Sequence, residues 1–288
     1  MIPHALIGLA ILAASEAGVL ARVEPFWTWH TPIAWTGYIL LLDGIIYKKR
    51  CSSWLMNHRR EFFFLATVSI PLWVVFEGYN LLIENWHYIN LPHNLLIRYV
   101  GYAWAFATIS PGIFLTAELV AFMRGRVRPT PIDHRPSPID HRPSTIDHRP
   151  STIAYISIAA GAAMLAWPLV WPSPYLAAPV FLGFIFLLDP LNARAGDESL
   201  LHDIRQGSYD RLTNLLVGGF VCGGLWEFWN YWARAKWIYT VPVVGHLKLF
   251  EMPVLGYFGF PPFALECFTM YVFVRRLLWR RTGRPIGL

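Results

Sequence analysis

The sequence predicts an all-α, polytopic membrane protein that crosses the bilayer about eight times, as two parallel repeats of four helices. Three observations carry that expectation. Charge is scarce, at 15% of 288 residues against about 25% in soluble domains, and mean hydropathy is +0.40. The few charges cluster in short stretches between long apolar runs, as lipid demands of its solutes. Finally, motifs of the first half return in the same order in the second.

Eight apolar stretches are read as spans: Pro3–Ala21, Thr31–Tyr47, Phe62–Ile83, Leu95–Met123, Ile153–Trp171, Tyr175–Leu188, Leu212–Ala233 and Leu249–Val274. The first lacks a basic leading region and a small-residue cleavage site, so it reads as a helix rather than a signal peptide. Pro172 and Pro174 mark a tight turn before the short sixth span. Loops at 48–60, 124–152 and 191–211 and the C-terminal tail hold most of the Lys and Arg. Positive-inside then places both termini in the cytoplasm, with a bacterial inner (cytoplasmic) membrane as the expected setting. Net charge is +6, but the basic residues flank spans and do not form a patch, which argues against a nucleic-acid partner.

The repeat divides the chain into 1–123, a linker 124–152, and 153–288 with its basic tail. Gly37-Tyr-Ile-Leu-Leu-Leu-Asp43 matches Gly183-Phe-Ile-Phe-Leu-Leu-Asp189, and Ser53 with Arg59 matches Ser199 with Arg205. Phe76-Glu77-Gly-Tyr79-Asn80 matches Trp226-Glu227-Phe-Trp229-Asn230, and Trp86-His-Tyr88 matches Trp237-Ile-Tyr239. Glu118 and Glu266 follow proline-containing stretches in the last span of each half, and the offset stays between 146 and 151 residues throughout. Four helices per half give both halves one orientation, so a binding site is expected between them. In the linker, Ile-Asp-His-Arg-Pro-Ser recurs at Ile132, Ile139 and Ile146. Such Pro-rich polar sequence is expected to be disordered, and its His134, His141 and His148 are not read as metal ligands.

Acids inside spans are costly, at least ~2.5 kcal/mol near the bilayer centre, and so mark sites. Glu77, Glu227, Glu251, Glu118 and Glu266 are the catalytic candidates. Glu77 with Asn80, and Glu227 with Asn230, are three residues apart and share a helix face. Arg98 could pair with a carboxylate, and Trp73, Tyr79, Trp226, Trp229 and Tyr257 could present ring faces to a passing cation. An apolar setting favours the neutral acid, a proton donor. The alternative is that Glu and Asn act as hydrogen-bonding glue between helices. Asp43 and Asp189, close to Lys48 and Arg194, are expected to reach the interface instead. Cys51, Cys222 and Cys267 are scattered, and no nucleotide-binding glycine pattern, His-x-x-x-His cluster or Ser-His-Asp signal occurs, so neither cofactor nor metal is expected.

The stretches Trp226-Glu227…Trp237-Ile-Tyr239…Leu249-Phe-Glu251-Met-Pro253…Glu266 and Phe76-Glu77…Trp86-His-Tyr88…Glu118 resemble the membrane-embedded lycopene cyclases of the small-subunit type, which occur as two similar subunits or one fused chain. The resemblance covers under half the chain. Glu251 stands where that family carries a Pro-x-Glu-Glu motif; here the residues are Phe250-Glu251-Met252. It implies proton-initiated cyclisation of a carotenoid or other isoprenoid lipid, without net redox change. A small-molecule transporter and a non-enzymatic membrane scaffold remain the alternatives.

Overall fold

The computed structural model describes residues 3–125, 152–242 and 245–279. The Ile-Asp-His-Arg-Pro-Ser repeats, the disorder expected of the linker after Gly125, and the basic tail from residue 280 lie outside the described residues. What is described is mostly helical.

Helices α1 (Pro3–Leu20) and α2 (His30–Arg50) pack along their length. Their contact is close because it is made by glycine: a Cβ on Gly8 would strike the Gly37 carbonyl and the Leu41 backbone. Lipid provides no hydrophobic push between helices, so backbone approach of this kind holds them together. The short α3 (Trp54–Asn57) leads into α4 (Arg59–Ile83), which ends as strand β1 (Trp86–Ile89) begins.

The expected span 95–123 is two helices, α5 (Leu95–Ala107) and α6 (Ile109–Met123), broken at Thr108. Pro111 explains the break, since its ring cannot follow a helical turn through residue 107. Ser69 of α4 repairs it, donating to the Phe106 carbonyl at 2.6 Å and accepting from the Ser110 amide at 3.1 Å.

Helix α7 (Thr152–Val170) pairs with α8 (Ala177–Arg194), again through glycines, Gly161 against Gly183 and Leu187. A single 3₁₀ turn, Pro174–Leu176, precedes α8. Then come α9 (Leu200–Arg205), the long α10 (Asp210–Trp232) and strand β2 (Lys236–Tyr239). The eighth span begins later than expected. Residues 248–253 form a hairpin of β3 (Lys248–Leu249) and β4 (Met252–Pro253), a 3₁₀ stretch follows over Val254–Gly259, and α11 runs Phe260–Leu278. Pro261 and Pro262 are tolerated there because the first helical turn needs no N–H from them. Glu251 therefore lies in a hairpin turn, beside Phe250 at positive φ, and does not open a helix.

Six helical stretches among the described residues are long and apolar enough to cross a membrane: Pro3–Leu20, Arg59–Ile83, Leu95–Met123, Thr152–Val170, Pro174–Arg194 and Val254–Leu278. Apolar side chains also cover the outside, such as Leu6 and Ile7 on α1, Leu96 and Val100 on α5, and Ile153 and Ile156 on α7. A water-facing surface rarely tolerates so much. Helices α2 and α10 are not among the six. They pack against α1, α6 and α11, and neighbours shield their polar residues from lipid. The core joins Trp35 of α2, Phe76 of α4, Phe114 of α6, Leu215 of α10, and Phe268 and Tyr271 of α11.

The two acids expected at the interface are instead buried. Asp43 accepts from Ser53 Oγ at 2.7 Å and the Leu55 amide at 3.0 Å; Asp189 accepts from Ser199 Oγ at 2.9 Å and the Leu200 amide at 2.8 Å. Each thereby anchors the N-terminus of a short helix, α3 or α9. Capping a helix start outweighs solvation for these short side chains.

Candidate functional site

Strands β1 and β2 lie about 150 residues apart in sequence and pair antiparallel, with Trp86 opposite Tyr239 and Tyr88 opposite Trp237. Side chains alternate along a strand, so these four aromatics share one face of the ribbon. That face covers a cavity of about 570 Å³, lined by all four together with Trp35, Trp73, Phe76's neighbours Phe181 and Phe263, Tyr102 and Trp226. Its size falls within the range of roughly 300–1,000 Å³ for small-molecule sites. The ring geometry is tight: Trp35 and Trp226 have centroids 5.0 Å apart, and Trp73 meets Phe263 edge-on at 5.6 Å.

The ribbon is tied to the helices by the Glu-x-x-Asn faces. Asn80 Nδ2 donates to the Trp86 carbonyl at 2.7 Å, while its Oδ1 accepts from the Asn85 and Trp86 amides at 2.9 and 3.2 Å. Asn230 does the same to Trp237, donating at 2.8 Å and accepting at 3.0 Å. One turn earlier the glutamates take the tyrosines. Tyr88 donates to Glu77 Oε1 at 2.5 Å, and Tyr239 donates to Glu227 Oε1 at 2.9 Å.

The two pairs differ in what surrounds them. Glu77 Oε1 also accepts from the indoles of Trp73 at 2.7 Å and Trp86 at 3.3 Å. Glu227 is fully buried, and its Oε2 has no hydrogen-bond partner among the described residues. The Trp237 indole donates to the Tyr239 oxygen at 2.9 Å. Burial, and then the neighbouring carboxylate, push both phenols well above the ordinary tyrosine range, so both hold their protons at neutral pH.

The expected site residues fall into two groups. Glu77, Glu227, Asn80 and Asn230 converge on the ribbon, behind the cavity wall, and Trp73 and Trp226 line the cavity itself. Arg98 and Lys236 line the same cavity, and Glu251 pairs with Lys236 at 2.5 Å. Elsewhere, Glu118 of α6 forms a buried ion pair with Arg50, the last residue of α2, and accepts from the Trp54 indole at 3.0 Å. Glu266 is buried within α11, with neither oxygen partnered among the described residues. Tyr79 donates to the Leu165 carbonyl at 3.1 Å, Tyr257 to the Leu249 carbonyl at 3.0 Å, and the Trp229 indole to Glu16 at 2.9 Å. Beside Glu16, Ser15 and His30 hydrogen-bond at 2.9 Å in a second buried polar cluster.

Reading spans alone overlooks Trp86, Tyr88, Trp237 and Tyr239. Their signal was the recurrence of Trp-x-Tyr in both halves, at the spacing that puts both rings on one strand face. Among the described residues no group of three His, Cys, Asp or Glu side chains is arranged to hold a metal ion. Comparison with family models, with curated proteins and with solved structures finds no match to this chain.

Proposed function

We propose that this chain is an integral-membrane protein of eight crossings, in two parallel four-helix repeats, that binds an isoprenoid lipid in the aromatic cavity and acts on it as a lycopene cyclase-like enzyme. The observation that carries the reading is the pairing of each ribbon tyrosine, at the cavity wall, with a carboxylate, Tyr88 with Glu77 and Tyr239 with Glu227. Helices α2 and α10, with 21 and 23 residues, supply the two further crossings, since about 1.5 Å per residue takes them past a hydrocarbon layer of about 30 Å. The Lys48–Arg50 end of the bundle then faces the cytoplasm, and the ribbon lies at the opposite surface.

Two acid–base pairs over one apolar cavity suit a reaction that needs a proton at one end and returns one at the other. One pair protonates a terminal double bond; the ring closes through a carbocation; the other pair removes a proton. The product is an isomer of the substrate, so no redox partner is required. The ring faces of Trp73, Trp226 and Trp35 would stabilise the cation on its way.

The test is expression in a host that accumulates linear carotenoids or polyprenols, followed by profiling of the lipid extract. A new isomer of unchanged mass, lost in Glu77→Gln or Glu227→Gln variants that still fold, supports the reading. An unchanged extract from folded wild-type protein sinks it for those substrates. The helix-glue alternative draws on the same hydrogen bonds, and it predicts that these variants lose thermal stability with no reaction to lose.

A further inference from the structure

The cavity wall is apolar and aromatic, yet two cations line it, Arg98 and Lys236. They are not equivalent. Lys236 is neutralised: its Nζ lies 2.5 Å from Glu251 and 3.3 Å from the Tyr231 carbonyl, over the Tyr231 ring. Arg98, half-buried in the first turn of α5, makes one protein hydrogen bond among the described residues, from Nε to the Pro92 carbonyl at 3.0 Å. Its two terminal nitrogens have no protein acceptor among the described residues, and no carboxylate pairs with it there. The Nε bond fixes the plane of the guanidinium and leaves its forked edge free, the geometry that grips a phosphate or carboxylate by two parallel bonds. A cation in the first turn of a helix is also set against the helix dipole, a cost that an anion would remove.

Resting on the reading of the cavity as a lipid site, we propose that its ligand is an amphiphile whose oxyanion head is held by Arg98 while its apolar tail lies among the cavity aromatics. Arg98 bonds Pro92, which follows Ile89 by three residues, and Ile89 pairs with Lys236. Both cations therefore lie toward the same end of the ribbon, and Lys236 is already paired there with Glu251, which leaves Arg98 as the cation for the head group. Tyr88 and Tyr239 lie further along the ribbon, where the tail would run.

The experiment titrates the full chain in detergent, reading the fluorescence of the cavity tryptophans. The probes are a C15 isoprenyl monophosphate, the matching isoprenyl alcohol, a long-chain fatty acid and inorganic phosphate. The wild type is expected to bind the monophosphate and the fatty acid at least tenfold more tightly than the alcohol. Arg98→Gln is expected to weaken the two anions about 10–100-fold, the range for a charge-assisted hydrogen-bonded pair, and to leave the alcohol unchanged. Should that variant not fold, Arg98→Lys carries the test, with a smaller loss in the same direction. Equal affinity for alcohol and monophosphate, or an Arg98 variant that binds the anions as the wild type does, overturns the oxyanion head and leaves the lipid cavity standing. Inorganic phosphate binding as tightly as the lipid would make Arg98 a site for the free ion and overturn the amphiphile. No response to any lipid would overturn the lipid cavity itself.

Discussion

The Tyr239 hydroxyl stands between two partners, donating to Glu227 at 2.9 Å and accepting from the Trp237 indole at 2.9 Å, whereas Glu77, the partner of Tyr88, collects three donors on one oxygen. The two halves of the site thus use the same residue types with unequal redundancy.

Tyr88→Phe leaves Glu77 with two indole donors, while Tyr239→Phe removes both of the hydrogen bonds that pass through its phenol. Stability should fall by about 1 kcal/mol for the first and by about 2–3 kcal/mol for the second, since a buried polar group left without its partner costs more than a lost bond among several. Thermal unfolding of both variants in the same detergent measures this. Equal losses, or a larger loss for Tyr88→Phe, would show that the redundancy at Glu77 has no energetic weight.

Asn80 and Asn230 hold the tryptophan of each strand by its backbone. A two-stranded ribbon of four-residue strands is marginal by itself, so these clamps should decide whether it stays docked. Asn80→Ala and Asn230→Ala should each cost about 1–3 kcal/mol. Amide hydrogen exchange in 85–90 and 236–240 should quicken in either variant while the helix interiors keep their protection. Unchanged exchange in the ribbon would count against the clamp.

Glu24, in the loop between α1 and α2, holds Thr28 through both its amide and hydroxyl and pairs with Arg234 at 3.3 Å. Burial tends to raise its carboxyl, but the Thr28 hydrogen bonds and the Arg234 charge outweigh that and set it below the ordinary value of 4.5. A depressed folded-state value gives a contribution to stability that is present above 4.5 and lost as pH falls through the folded value. The loop at 22–29 should therefore loosen in acid, with the protection factor of the Thr28 amide, its exchange corrected for the intrinsic pH dependence of amide exchange, falling below that pH in the wild type. In Glu24→Gln that protection factor should be flat across the same window.

Much of the site was legible because helices carry a strong periodic signal. Glu77 with Asn80 and Glu227 with Asn230 fall three apart in long apolar runs, so their shared faces follow from sequence alone. Arg98 and the indoles of Trp73 and Trp226 were within reach for the same reason. The ribbon was not. Four residues give no usable alternation, and nothing local in Trp86-His-Tyr88 announces that its partner lies 151 residues away. Likewise Phe250-Glu251 reads as the start of a helix until Pro253 and the glycines at 256 and 259 are weighed against it, and the structure settles for a hairpin and a 3₁₀ stretch.

By itself the sequence determined that the chain is helical and suited to lipid, and which helix faces are polar. Hydropathy and helical periodicity are properties of neighbours along the chain, so both can be read without knowing what packs on what. The tertiary structure decided the acids' partners. Glu77 and Glu227 met the ribbon tyrosines, Glu118 met Arg50, Glu251 met Lys236, and Asp43 and Asp189 capped short helices. A carboxylate's chemistry depends on which donors reach it across the fold. Those donors came from segments up to 68 residues away in the case of Arg50, a distance over which no local pattern carries information.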